Sequence, residues 1–224
     1  LNSVNILAEK LKTIYYPVSC PELPLQPQND FRAEFQLSAK AKVLAVVGRI
    51  RPVKGQRILL QSLRQLLREF PDLVLLMPYR DTAEKEPEMV AIRNDISRLE
   101  LEAHVRLIPE RVDIRALMEF ADAGVVSSVD SEVICRVAVE FFSVATPVVA
   151  FPTGCLPEII RHAENGLLTK AKTQQALTDE LRIILADPEL CERLGQGARR
   201  DAEIRFNPKK MLSETLEVFE GSLN

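Results

Sequence analysis

Between Ser38 and Leu168, short and largely apolar runs alternate with longer segments in which apolar residues recur every three or four positions. The runs Val43 to Val47, Leu73 to Met77, Val105 to Ile108, Gly124 to Ser127, Pro147 to Phe151 and Gly166 to Leu168 predict buried strands. Helices are predicted between them, near Gln56 to Phe70, Glu88 to Leu99, Asp113 to Ala121 and Cys135 to Ser143. The first of these carries Ile58, Leu59, Leu63, Leu66, Leu67 and Phe70 on one face, the spacing of a core-packing helix. Strands separated by helices must run parallel, because parallel neighbours need a crossover. The expected fold is therefore α/β, a Rossmann-like doubly wound parallel sheet with helices on both faces. Beyond residue 170 the chain reads as wholly helical, with Asp187-Pro188 and Asn207-Pro208 each giving a cap residue followed by proline at the first helical position.

Ahead of this unit, residues 2 to 11 read as a short helix and TIYYPV, from Thr13, as a brief strand. The proline-rich polar stretch that follows, to about Gln36, has the composition of a linker. The expected division is residues 1–37 as linker and boundary remnant and residues 38–224 as the globular domain. The acidic run Asp81 to Glu88 reads as a solvated loop.

With 46% hydrophobic residues in 224, the chain can bury one good core. A net charge of −3 argues against nonspecific nucleic-acid binding, which calls for a basic face. Cys20, Cys135, Cys155 and Cys191 show no CxxC spacing and no clustering with His104 or His162, so neither a zinc site nor a disulfide framework is indicated. Both histidines read as structural. A reducing cytoplasmic setting fits, and no apolar run approaches the ~18 residues of a bilayer span.

Two regions carry candidate chemistry. After the strand at Val43, Gly48 is followed by Arg49, Arg51, Lys54 and Arg57 in a short loop that leads into a helix. Cations and a helix start together suit a phosphate, although the same residues also read as solvated surface charges. Farther on, Glu132 and Glu140 stand eight positions apart, and the second lies in an apolar run. An acid there needs a partner, such as Arg136, or a ligand. Glu132 also reads as an acid favoured at a helix start. The strand PVVAF, a loop with Thr153 and Gly154, and the turn Asn165-Gly166 follow.

The order of these parts resembles the C-terminal, donor-binding half of retaining GT-B glycosyltransferases, family 4 (group 1). The resemblance covers most of residues 13 to 221. It implies that Gly48, Arg49, Lys54 and Gly55 match the family's diphosphate-binding pattern. It implies further that Glu132 contacts the donor sugar near the reacting carbon and Glu140 accepts from the ribose hydroxyls. The expected donor is a nucleotide diphosphate sugar such as a UDP-sugar, transferred with retention in a hexosyltransferase reaction, with no cofactor and no metal. Arg49 and Lys54 would stabilise charge on the leaving diphosphate. The backbone of Val133, Ile134 and Cys135 would approach the donor where many relatives have glycines, and Ser131, Thr153 and Gly154 are further candidates for the pocket wall. Expected glycines are also replaced at Met77-Pro78-Tyr79 and at Pro109.

The first residue is Leu, not Met, which fits an excised piece of a longer enzyme whose N-terminal domain carries the acceptor site. The expected acceptor is a glycan or lipid-linked sugar in cell-surface polysaccharide or lipopolysaccharide assembly. Peripheral membrane contact is expected only through the full-length protein, and the piece alone is expected to be inactive. A noncatalytic nucleotide-binding or regulatory module is the alternative reading. A dinucleotide or P-loop protein is disfavoured, because no GxGxxG follows a strand and no GxxxxGK[ST] exists.

Overall fold

The computed structural model describes residues 11–25, 30–130 and 132–221. The predicted helix at residues 2 to 11 lies outside them except for Leu11, and Ser131 also lies outside.

The strands form in the predicted places: β1 (Val43–Ala45), β2 (Val74–Tyr79), β3 (Val105–Pro109), β4 (Ala123–Val126), β5 (Val148–Ala150) and β6 (Gly166–Leu168). They build one parallel sheet in the order β3-β2-β1-β4-β5-β6. The helices are α1 (Phe31–Glu34), α2 (Gln56–Leu66), α3 (Pro87–Arg98), α4 (Ile114–Phe120), α5 (Arg136–Phe142), α6 (Leu156–Ile159), α7 (Gln174–Ala186), α8 (Pro188–Ile204) and α9 (Pro208–Gly221).

Alternation along each strand divides the core between two faces. Val43 and Ala45 of β1, Val74 and Leu76 of β2, and Val148 and Ala150 of β5 pack with residues of α4, α5 and α8. Leu44, Leu75, Met77 and Val149 point the other way, to the apolar faces of α2, α3 and α7. An inner strand covered on both faces must then be apolar throughout, which is why the inner strands read as unbroken runs, while edge strand β3 carries the half-buried Arg106.

The C-terminal helices start where the caps predict. Asp187 accepts from the backbone N–H of Leu190 at 2.9 Å, and Asn207 from that of Lys209 at 2.8 Å. Both histidines are structural: His104 Nδ1 contacts the Leu73 carbonyl at 3.0 Å, and His162 Nδ1 accepts from the N–H of Leu168 at 3.1 Å.

Three local expectations need correction. Residues 13–18 form no strand. They lie against the end of α8, with a single ladder-like bond from Val18 N–H to the Phe206 carbonyl at 2.8 Å, so no sheet edge is available to pair with. The stretch composed like a linker is docked on the domain, since Val18, Phe31 and Phe35 are buried in its core. The acidic run Asp81 to Glu88 is largely exposed, as expected, but it is not all loop: it holds a 3-10 turn, Asp81–Ala83, its Glu84 receives the Tyr79 hydroxyl, and Pro87 and Glu88 already open α3.

Strand β2 also accommodates a proline without strain on its ladder. Its pairing with β1 ends at Leu76, while pairing with β3 continues to Tyr79, so Pro78 lies where β1 has already left the sheet.

Arg51 and Arg57, which the family pattern does not use, are held by acids. Arg51 pairs with Glu86 at 3.1 Å, and Arg57 Nε donates to Asp95 Oδ2 at 2.6 Å. The Arg57 hydrogen bond, seconded by Arg98, holds the buried Asp95 carboxyl below the usual carboxylate range despite its burial. A carboxylate depressed in the fold contributes stability above its unfolded pKa of about 3.9 and loses it as pH falls below that value. Asp95→Asn is therefore expected to cost about 2 kcal/mol at pH 7. The difference from wild type should shrink toward pH 3, as read from urea midpoints at the two pH values.

Candidate functional site

In the strand order, β1 and β4 are neighbours whose connections leave in opposite directions. A crevice opens at their carboxyl ends, the usual ligand position in such sheets. Gly48 and Arg49 follow β1, and Ser127 and Ser128 follow β4.

The loop after β1 folds into a 3-10 turn, Pro52–Lys54, that ends on Gly55 at φ +67°. A Cβ on Gly55 would sit 2.1 Å from the Ser127 carbonyl oxygen, so only glycine permits this contact. The Ser127 hydroxyl donates to the Lys54 carbonyl at 3.0 Å, and the Val129 N–H to the Val53 carbonyl at 2.9 Å. These bonds fix the β1 and β4 loops to each other and deliver Lys54 to Glu132. Glu132 is 6% exposed, and one of its carboxylate oxygens accepts from both Lys54 Nζ and the Ser128 hydroxyl. Its backbone carbonyl takes the N–H of Cys155 at 2.8 Å.

The crevice is a cavity of about 590 Å³. Gly48, Arg49, Lys54, Glu132, Ile134, Cys135 and Glu140 all line it, so seven residues singled out from sequence meet on one surface. Val133 does not. It is 82% exposed and faces an adjoining trough of about 660 Å³ together with Tyr16, Ile159 and Met211. Glu140, in the second turn of α5, satisfies both readings of its charge, for it lines the cavity and pairs with Arg136 at 3.4 Å.

Cys135 takes the left-handed conformation at φ +39° just before α5, and burial pushes its thiol up. It therefore serves as an apolar wall and not as a nucleophile. Thr153 donates to the Ser128 carbonyl at 2.6 Å, and Gly154 lies against Glu132, so both brace the site from behind.

Sequence reasoning missed Arg80, Ser127, Ser128 and Gln56 as lining residues and took Arg136 only as a partner for Glu140. Arg80 follows β2 directly after Met77-Pro78-Tyr79, where a glycine was expected, and only the sheet order brings it to the crevice. The lining thus holds four basic side chains, Arg49, Lys54, Arg80 and Arg136, against two acids, Glu132 and Glu140. The chain as a whole carries net charge −3, so the cationic excess is local and suits a polyanionic ligand. A smaller chamber of about 260 Å³ opens beside Gly48 and Arg49, walled by Pro78, Tyr79 and Ile114. Among the described residues no group of three metal-ligating side chains is present, and no helix is long and apolar enough to cross a membrane.

The family model described as glycosyl transferases group 1 matches residues 27–201, a span that includes every element of this crevice. The chain belongs to that family. Curated relatives of this group 1 chain include spore coat protein SA of Bacillus subtilis, 28% identical over 201 residues, covering 86% of the chain and 52% of the relative. Another is D-inositol 3-phosphate glycosyltransferase of Corynebacterium efficiens, 32% identical over 172 residues, covering 75% and 40%. Among solved structures, Anabaena HepE in complex with UDP superposes with a TM-score of 0.78 at 27% identity, covering 85% of this chain and 51% of that one. The C-terminal domain of a group 1 glycosyl transferase from Francisella tularensis shares the fold, with a TM-score of 0.70 at 20% identity over 97% of that domain. The chain spans about half the length of the curated relatives it matches.

Proposed function

We propose that this chain is the donor-binding half of a retaining glycosyltransferase of the family 4 type, and that it holds a nucleotide diphosphate sugar in the crevice between β1 and β4. The observation that carries the reading is the convergence of Arg49, Lys54, Glu132 and Glu140 on one cavity with a cationic excess. Lys54 and Arg49 supply charge for the diphosphate and for its negative charge as the glycosidic bond breaks. Glu140 takes the ribose hydroxyls, and Glu132, already oriented by Lys54 and Ser128, takes hydroxyls of the sugar. The smaller chamber beside Gly48 offers a nucleobase the apolar surfaces of Pro78, Tyr79 and Ile114, with the charged Arg80, Glu110 and Arg111 also in its lining. Uridine is the favoured base, because HepE, 27% identical, was solved with UDP and with UDP-glucose. No cofactor or metal is assigned a role. The acceptor, proposed as a glycan or lipid-linked sugar of cell-surface polysaccharide or lipopolysaccharide assembly in the cytoplasm, would be held by a further domain, so the chain alone should bind donor without transferring it.

A thermal-shift titration with UDP, GDP, ADP and CMP tests the binding claim. A ligand at a hundred times its Kd stabilises the fold by about 2.7 kcal/mol, roughly 5 to 10 °C for a chain of this size. One diphosphate should give such a shift, and Lys54→Ala and Glu140→Ala should abolish it. Equal melting temperatures with and without every nucleotide would overturn the reading.

A further inference from the structure

Arg136 opens α5 and lines the crevice together with Lys54 and Glu140. Helix stability does not account for it there, since a cation in the first turn of a helix is opposed by the macrodipole. Its pairing with Glu140 four residues on runs in the weaker order, with the base N-terminal to the acid. That bond is long at 3.4 Å, and the Arg136 side chain is 59% exposed, so it contributes little. A second contact holds the guanidinium in place. Its carbon lies over the ring of Tyr16, 4.7 Å from the centre. Tyr16 belongs to the stretch before α1, outside the sheet, so the brace comes from a separate part of the chain.

The other cations of the cavity differ in how far they are already neutralised. Lys54 is closed onto Glu132, and Arg80 pairs with Glu110 at 3.6 Å on the surface. An arginine has five N–H donors in a planar fork, and the bond to Glu140 uses one.

We propose that Arg136 is a further donor-binding residue, a cation that takes the diphosphate, and that Tyr16 is the residue that positions it. The inference rests on the donor-site reading above and adds a contact to it. When ribose hydroxyls occupy Glu140, they replace the long bond from Arg136, and the guanidinium turns to the phosphate oxygens while its flat face stays on Tyr16. One ligand thereby satisfies both members of a weak ion pair. The two ends of the nucleoside diphosphate are read by residues four apart on one helix face.

Calorimetric titration of the 224-residue chain tests this, with inorganic pyrophosphate, with UDP, GDP and ADP, and with the matching nucleosides. Wild type, Arg136→Ala, Arg136→Lys, Tyr16→Phe, Tyr16→Leu and Lys54→Ala are compared. Loss of one charge-assisted contact corresponds to about a ten- to hundredfold weaker Kd. Arg136→Ala should weaken the bound diphosphate by that factor, flatten its salt dependence and leave the nucleoside unchanged. Arg136→Lys should recover part of the loss and remains the informative variant if the alanine protein does not fold. Tyr16→Phe should match wild type, and Tyr16→Leu should weaken the diphosphate severalfold. Unchanged diphosphate affinity in Arg136→Ala, with a clear loss in Lys54→Ala, overturns the inference and leaves the donor reading intact. Equal losses for nucleoside and diphosphate also overturn it, since Arg136 would then act only through Glu140. No binding of any nucleotide by wild type would remove the donor reading and this inference together.

Discussion

Lys54→Ala is expected to lower stability and abolish nucleotide binding, and a second substitution should separate the two effects. Glu132 is 6% exposed, with Lys54 and Ser128 as its side-chain partners. Removing Lys54 leaves a nearly buried carboxylate with one neutral donor, and an uncompensated charge of this kind costs several kcal/mol where it is fully buried. Lys54 itself is 23% exposed, so water recovers part of the loss, and about 2 kcal/mol is expected. That corresponds to a drop in melting temperature of roughly 4 to 8 °C. Adding Glu132→Gln to Lys54→Ala removes the stranded charge and should restore most of the stability. It should not restore binding, because the cation facing the diphosphate is still absent. Melting curves of the two single variants and the double variant, each with and without UDP, measure both quantities. Nucleotide binding regained in the double variant would mean that Lys54 serves only to neutralise Glu132.

This pair also shows how much of the site sequence could reveal. The Gly48–Gly55 loop and the two glutamates are local patterns, and each was readable because its residues lie close together in the chain. Lys54 and Glu132 are 78 positions apart, and nothing in either segment states that they touch. Their meeting depends on β1 and β4 being neighbours, a property of strand order that periodicity does not encode. Arg80 was passed over as a lining residue for the same reason, whereas Arg136 stands between the two glutamates in sequence and was read only as an ion-pair partner for Glu140.

The inner strands were legible because a parallel sheet covered on both faces demands apolar residues along them, as at Leu44, whose two neighbours face the opposite core. The segment from Thr13 misled for a complementary reason. Tyr15, Tyr16 and Val18 have the composition of a strand, but they pack on Phe206 and Arg136 where no strand edge is exposed. Proline and polar composition before Gln36 likewise concealed Phe31 and Phe35, two aromatics that tie that stretch to the core and lie under the Arg111 guanidinium.

Two glycines on the same site should both lose nucleotide binding on substitution by alanine, but only one of them should lose stability. Gly154 has φ +56°, and a Cβ on it would lie 1.9 Å from the Glu132 carbonyl oxygen and 2.6 Å from its carbon. The obstacle is backbone, so no rotamer change relieves it. The loop at Glu132 must move away, which breaks the bond from Cys155 N–H to the Glu132 carbonyl. Left-handed backbone alone costs a non-glycine residue about 1 kcal/mol or more, and the displaced bond adds about 1 kcal/mol. Gly154→Ala is therefore expected to lose at least about 2 kcal/mol and to lose nucleotide binding with it, because Glu132 and Lys54 shift together. At Gly48 a Cβ would meet nothing within 4 Å, and the residue borders the open crevice. Gly48→Ala should fold with a melting temperature close to that of wild type, so any effect must come through the ligand. If the diphosphate lies against this backbone, the added methyl occupies its place, and UDP affinity should fall by about tenfold or more without a change in stability. Wild-type affinity in Gly48→Ala would move the phosphates away from the β1 exit. A melting temperature unchanged in Gly154→Ala would show that the two loops are not held as closely as their geometry requires.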